Sequence, residues 1–212
     1  MEFESLRREY LQGGLKREDL ADDPHEQFSL WMQQALEMGI GDPTAMTAAT
    51  VSKTGQPSQR IVLLKHFSED GLVFYTNYNS RKARDLIANP HISLHFPWHA
   101  IDRQIKIGGT AEKVSAAESL KYIITRPKES QLAALASRQS EVLSSRALLL
   151  NQYESLKQKF AKSEIPLPDF WGGYRVKMRE IEFWQGGKNR LHDRFRYSLN
   201  ETDEWVIERL AP

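Results

Sequence analysis

The chain has 212 residues, 29 Lys and Arg against 28 Asp and Glu, a net charge of +1, and no cysteine. That length suits one globular domain, with at most a small appendage. Balanced charge argues against general nucleic-acid or membrane-surface binding, so basic clusters are read as sites for small anions, and the lack of thiols excludes disulfides, thiolate nucleophiles and cysteine-ligated metals.

The opening run MEFESLRREY carries acids and no apolar stretch, unlike a signal peptide, and nothing approaches the ~18 apolar residues that cross a bilayer, so a cytoplasmic protein is expected. Residues 1–23 are polar, with Gly13 and Gly14 breaking any helix; a short helix around Ser5–Tyr10 and a mobile arm are expected, ahead of a single domain over 24–212. Pro24 reads as a first helical residue capped by Asp23, and Phe28, Trp31, Met32, Ala35 and Leu36 recur at helical spacing. Ala45–Val51, Gln59–Lys65 and Leu72–Asn77 are β-rich runs separated by turn signals, which predicts two consecutive hairpins. Ser80 heads a helix over Arg81–Ala88. His91–Phe96 and Arg103–Val114 read as strands, with Gly108-Gly109 marking a bulge or bend. Residues 115–161 are helical: Ser115 and Glu118 have capping-box spacing, Pro127 interrupts, and a longer helix runs from about Ser144 to Phe160. Trp171–Glu182, Leu191–Tyr197 and Trp205–Glu208 complete the strands. Antiparallel strands with helices between them indicate an α+β protein built on a β-barrel, and no dinucleotide or phosphate-loop fingerprint is present.

Several clusters could carry chemistry. If Leu191–Tyr197 is a strand that begins one residue earlier, Arg190, His192 and Arg194 share one face, which suits either a bound anion or a solvated edge. Arg60 and Lys65 bracket the apolar run Ile61, Val62, Leu63 and Leu64, as ligand contacts or as ordinary solubilising ends. Ser80-Arg81-Lys82 puts cations at a helix N-terminus, against the macrodipole, a conflict that a bound phosphate would relieve. Gln104 shares a strand face with Lys106 and can both donate to and accept from a heterocycle edge, or lies on an ordinary half-exposed strand. Tyr122, Arg126 and Ser130 surround the break at Pro127 and would suit a phosphorylated ring, or form a plain helix corner. Ser137-Arg138-Gln139-Ser140 offers donors to a phosphate or caps the next helix, and Trp184 could pack on a flat cofactor or in the core. The histidines lack metal-ligand spacing and no G-x-S-x-G element occurs, so neither a metal site nor a nucleophilic serine is expected.

The runs RIVLLK (60–65), FYTNYNSRKA (74–83), RQIKI (103–107), RPKESQ (126–131), SRQS (137–140), FWGGYRV (170–176) and EFWQGGKNRLHDR (182–194) follow one another in this order. Together they make the chain resemble the pyridoxamine/pyridoxine 5′-phosphate oxidase family, from LRREY (6–10) to RLAP (209–212). The resemblance implies an α+β, FMN-binding split β-barrel, antiparallel and Greek-key-like, with peripheral helices. It implies a homodimer with active sites at the subunit interface. The implied reaction is oxidation of pyridoxamine 5′-phosphate or pyridoxine 5′-phosphate to pyridoxal 5′-phosphate, with O2 becoming hydrogen peroxide. Hydride transfer from C4′ to the flavin N5 is the expected step. Implied FMN contacts are Arg60, Ile61, Val62, Leu63, Leu64, Lys65, Tyr75, Thr76, Arg81, Lys82, Gln104, Gln139, Ser140, Trp184 and Arg194. Implied substrate contacts are Lys65, Tyr122, Arg126, Ser130, Arg190, Leu191 and His192, with Arg7, Arg8, Glu9 and Tyr10 in a segment that closes over the substrate. Arg190 is assigned to the reacting end and His192 to orienting the ring. Another split-barrel flavin oxidoreductase, or a non-catalytic carrier of FMN or pyridoxal phosphate, are the rival readings.

Overall fold

Among the residues that the computed structural model describes, 9–10 and 14–212, nine strands form one antiparallel sheet. They are β1 (Ala45–Val51), β2 (Pro57–Leu63), β3 (His66–Ser68), β4 (Gly71–Asn77), β5 (His91–Trp98), β6 (Arg103–Lys113), β7 (Trp171–Gln185), β8 (Asp193–Leu199) and β9 (Trp205–Leu210). The order across the sheet is β2-β1-β5-β6-β7-β4-β3, and β8 and β9 extend from β7. The two ends of that path, β2 and β3, are consecutive in the chain. Between them the backbone changes partner: the Leu64 N–H donates to the Thr44 carbonyl (2.9 Å) and the Lys65 N–H to the Val73 carbonyl (2.8 Å). The sheet thus closes on itself through two residues, and the expected barrel is present. The second expected hairpin is corrected by the same detail. β4 pairs with β3 and β7 rather than with β2, because the strand breaks at Leu64-Lys65 to cross between partners.

Alternation fills the interior. Ile92, Leu94, Phe96 and Trp98 of β5 face inward with Ile105, Ile107 and Ala111 of β6, while Ser93, His95, Gln104 and Lys106 turn out. Helix α1 (Pro24–Glu37) lays Phe28, Trp31 and Ala35 on this core. Asp23 caps it as expected, its carboxylate accepting from the backbone N–H groups of His25 (2.7 Å) and Glu26 (3.0 Å). Of helices α2 (Arg81–Ala88), α3 (Ala116–Ile123), α4 (Lys128–Ala136) and α5 (Arg146–Lys159), α2 adds Ala83 and Leu86 to the core and α4 packs on α5. Ser115 caps α3 by accepting from the Glu118 N–H (3.1 Å).

Packing reaches further toward the N-terminus than the boundary expected at residue 23. Leu15 and Leu20 join the core, the Gly14 and Leu15 N–H groups both donate to the Asp193 carboxylate, and the Tyr197 hydroxyl donates to the Ala21 carbonyl (2.7 Å). Most of the helix expected around Ser5–Tyr10 lies outside the described residues. A further correction concerns residues 188–192. Lys188–Arg190 forms a 3-10 turn with positive φ at Asn189 (56°) and Arg190 (66°), so β8 begins at Asp193. Arg190, His192 and Arg194 therefore do not alternate along one strand.

The expected bulge is real: pairing of β6 with β7 shifts register between Gly108 and Gly109. A Cβ on Gly109 would overlap the Lys177 carbonyl oxygen, which leaves glycine as the residue that lets the two backbones approach. Gly109→Ala is expected to cost about 2–3 kcal/mol, seen as a lower urea midpoint at unchanged slope; a midpoint equal to wild type would show that the bulge relaxes freely.

Candidate functional site

A cleft of about 430 Å³ opens between β2, β4 and the α3–α4 corner. It gathers Ile61, Val62, Leu63, Lys65, Tyr75, Thr76, Lys82, Tyr122, Arg126, Ser130 and Gln139, eleven of the expected contacts from five separate stretches of chain. Its wall is a stack of aromatic rings. Tyr75 lies 3.9 Å from Tyr122 at 16°, and Trp171 follows 5.5 Å from Tyr75 at 11°. Gly173 faces Tyr75 across β4 and β7, and a Cβ there would press on the Tyr75 ring. Burial, and then the nearby Glu118 carboxylate, push the Tyr75 phenol up to about 12, so the wall is uncharged at neutral pH. The Arg126 guanidinium lies 5.2 Å from the Trp171 ring, with Ser130 also on the lining. Trp171 was not singled out in the sequence; a Trp directly before Gly172-Gly173 was the signal, since paired glycines there admit aromatic neighbours.

One end of the cleft is rich in cations. The Lys82 ammonium is buried at the start of α2 and donates to Gln139 Oε1 (2.7 Å), Thr76 Oγ1 (3.0 Å) and Ser80 Oγ (3.4 Å). Among the described residues these partners are all neutral. Burial, and then the charge of Arg60, pull its pKa down to about 8. Arg60 is differently placed: it donates to Thr50 Oγ1 (2.7 Å) and Ser58 Oγ (2.7 Å), and Asp85 stands 4.0 Å away. Arg81 is exposed, and its backbone N–H donates to Ser140 Oγ (3.2 Å). Three cations thus meet at the start of a helix, and among the described residues Arg60 alone of them has a carboxylate close by. Leu64 is buried in the body and does not line the cleft.

The remaining expected residues assemble elsewhere, around the C-terminal end of β7. Gln104, Trp184 and Arg194 face one another directly across β6, β7 and β8. Glu182 grips Arg194 through two bonds, Nε to Oε1 (2.8 Å) and Nη2 to Oε2 (3.1 Å), and Lys106 adds a contact at 3.4 Å. Burial alone would raise the Glu182 pKa, but these cations outweigh it and hold the carboxyl below its usual range. The sequence reading missed Glu182, although its place two residues before Trp184 puts it on the same strand face.

After β7 the chain turns through Gly186 and Gly187. The Gly187 N–H donates to His192 Nδ1 (3.1 Å), and a Cβ on Gly187 would strike the Leu191 carbonyl. The His192 ring packs 4.5 Å from Trp184 and edge-on to Tyr10 at 5.0 Å. The Arg190 guanidinium lies 5.7 Å from the Tyr10 ring. Tyr10, Arg190 and His192 therefore meet, though by a turn and not by strand alternation. Leu191 and Glu9 are exposed, and Arg7 and Arg8 lie outside the described residues. Burial, then Arg190 and Arg194, lower the His192 pKa. A neutral ring whose Nδ1 accepts a backbone bond carries its proton on Nε2.

Comparison with known proteins supports one family. A family profile described as pyridoxamine 5′-phosphate oxidase matches residues 32–160, and one described as the pyridoxine 5′-phosphate oxidase C-terminal dimerisation region matches residues 171–212. Proteins named pyridoxine/pyridoxamine 5′-phosphate oxidase from Teredinibacter turnerae and Vibrio atlanticus are 63% and 61% identical over 212 residues, covering 100% of this chain and of each relative. Among solved structures, PhzG from Burkholderia lata, in complex with tetrahydrophenazine-1-carboxylic acid, superposes with a TM-score of 0.90 at 27% identity, covering 97% of this chain and 100% of that one. A pyridoxamine 5′-phosphate oxidase-related, FMN-binding protein from Nostoc punctiforme shares the fold at a TM-score of 0.70 and 16% identity, covering 90% and 98%. The chain belongs to the pyridoxamine 5′-phosphate oxidase family.

Proposed function

We propose that this protein binds FMN with its phosphate at Lys82, Arg60 and Arg81, and oxidises pyridoxamine 5′-phosphate and pyridoxine 5′-phosphate to pyridoxal 5′-phosphate. The observation that carries the reading is the buried Lys82 ammonium with neutral partners, beside two further cations. A buried charge is costly unless paired, and a phosphate at the α2 N-terminus would pair it. Bound there, FMN would supply the two-electron redox chemistry, with O2 as the acceptor reduced to hydrogen peroxide. Everything else falls to the chain. Thr76, Gln139 and Ser140 add donors around the phosphate; Ile61, Val62, Leu63 and Tyr75 give a dry, uncharged surface for the flavin. Leu64 serves that surface from within the body. Lys65, Tyr122, Arg126 and Ser130 hold the substrate phosphate.

The other contacts come from a second copy of the chain in this reading. Trp171 opens β7 and Trp184 nearly closes it. The two groups stand at opposite ends of a strand whose contour reaches up to about 40 Å, and the cleft that holds Arg126 is lined by neither Trp184 nor His192. A homodimer with two sites, each pairing the cleft of one copy with Gln104, Trp184, Arg190, Leu191, His192 and Arg194 of the other, resolves this. The match to a dimerisation region over residues 171–212 supports it. There the Nε2–H of His192 orients the substrate by donating to it, and Arg190 faces the reacting carbon, where it favours proton loss from the attached amine or alcohol. Tyr10, edge-on to His192 and Trp184, covers that side of the site. Among the described residues no helix is long and apolar enough to cross a membrane, and a cytoplasmic location belongs to the same reading.

Pyridoxamine 5′-phosphate added without oxygen should bleach the flavin absorbance, and Arg190→Met should slow that bleaching about 100-fold; an unchanged rate would remove Arg190 from the chemistry. Refolding Arg126→Met and Arg190→Met chains together should restore about a quarter of wild-type turnover, because half the dimers are mixed and each holds one intact site. No recovery would refute sites shared between copies. Lys82 must be charged to hold the phosphate, and its pKa near 8 means that the charge is lost as pH rises. FMN affinity should therefore fall from pH 7 to 9.5, while riboflavin, lacking the phosphate, should bind with no such slope; equal slopes in a fluorescence titration would exclude Lys82 as the phosphate partner.

A further inference from the structure

The row Gln104, Trp184 and Arg194 is backed by a second row on the same outer face. His95 on β5, Lys106 on β6, Glu182 on β7 and Arg196 on β8 face one another in register, two residues along from the first row. Members of the second row hold members of the first. Glu182 grips Arg194 from this position: Arg194 donates Nε and Nη2 to that one carboxylate and Nη1 to the Ala211 carbonyl. His95 stands in the same relation to Gln104: its Nε2 lies 3.0 Å from Gln104 Oε1.

This contact has a directional consequence. A glutamine amide offers an acceptor on one side and two donors on the other, so its rotation by half a turn exchanges what it presents. With Oε1 against the ring nitrogen, the ring must donate, and the Gln104 NH2 is turned away from His95. Two forms of His95 make this bond, the neutral ring protonated on Nε2 and the doubly protonated ring. Burial lowers the His95 pKa, the bond to Gln104 raises it, and the charges of Lys106 and His99 lower it further. Thr47, its partner on β1, brings no charge. The neutral Nε2–H ring is thus the form at physiological pH, and the bond outlasts protonation.

We propose that His95 is a positioning residue for the cofactor: its Nε2–H locks the Gln104 amide so that the NH2 is presented to an acceptor on the flavin ring. The inference rests on the reading that Gln104 touches FMN. A fixed donor favours the flavin more strongly after reduction, when the ring is richer in electrons, and so raises its potential. Removing the lock lets the amide rotate and present its oxygen, which repels the same electron density. A merely structural His95–Gln104 pair would affect stability and leave the potential where it was.

The test is the midpoint potential of bound FMN in the intact holoenzyme, measured against a reference dye, together with FMN affinity by fluorescence. His95→Leu, or His95→Phe if the former fails to fold, should weaken binding of reduced relative to oxidised FMN about ten-fold, a shift of about 30 mV to more negative potential for a two-electron couple. His95→Gln, which keeps a donor, should restore most of that shift. Gln104→Leu should move the potential as far as His95→Leu, and the double variant no further. If Gln104→Leu leaves potential and affinity unchanged, Gln104 does not touch FMN, and both that reading and this inference fall. If Gln104→Leu shifts the potential and the His95 variants do not, the contact stands and the role of His95 is overturned. Additive shifts in the double variant overturn it equally.

Discussion

The partner change at Leu64-Lys65 is the constraint on which the rest of the molecule depends. One continuous segment must pair with β1 before it and β4 after it, and only a sheet curled into a barrel brings those two strands to the same place. The crossing also shapes the cleft. Ile61, Leu63 and Lys65 turn outward at the crossing while Leu64 turns into the core. The segment that closes the barrel therefore also lines the cleft, and β4, its new partner, contributes Tyr75 and Thr76 beside it. The glycine bulge at Gly108-Gly109 lets the two longest strands bend around the closure.

Charge is distributed by the same economy. The chain is nearly neutral, yet its internal cations are not treated alike. Arg194 is clasped by Glu182, and Arg60 has Asp85 within 4.0 Å, so both are held in fixed geometry with their charge largely answered. Lys82 is the contrast, buried among hydroxyl and amide oxygens with its pKa pulled down to about 8. Compensated arginines serve as directed donors, whereas a buried lysine among neutral partners acts as a charge awaiting its counterion. The arrangement suits a phosphate at one end of the flavin and neutral hydrogen-bonding groups along its ring.

How much of this was legible in the sequence depends on the range of the interactions. Local signals were read well: Asp23 before Pro24, Ser115 before α3, and Gly108-Gly109 each dictate backbone geometry within a few residues, and the structure has the helix caps and the bulge. The anion-binding reading of Ser80-Arg81-Lys82 came from a local conflict with the helix dipole. The failures were non-local or concerned unusual backbone. Strand alternation over 190–194 failed because Asn189 and Arg190 adopt positive φ, a conformation that an Arg rarely signals. Packing of Leu15 and Leu20 against the barrel could not be seen in a polar, glycine-broken stretch. Glu182 and Trp171 carried only weak sequence signals, and register is what sets them opposite Arg196 and Asn77 and beside the other candidate residues. The resemblance supplied the residue set; the register explains why those residues need one another.

The surface of the single chain bears on the proposed sharing of the site. Ile61 is 73% exposed and Leu191 is 70% exposed, large apolar side chains left in water at the two separate groups of candidate residues. Isolated exposed apolar residues are ordinary, but these two lie where ligand contacts are expected, one on the cleft and one beside His192. Covering each would recover about 25 cal/mol for every Å² removed from water. If the second copy covers Ile61 with the region around Leu191, the burial that joins the protomers also completes the flavin site. Stability of the pair and assembly of the chemistry then draw on the same contacts, and an isolated protomer retains the phosphate end of the site without the groups that act on the substrate.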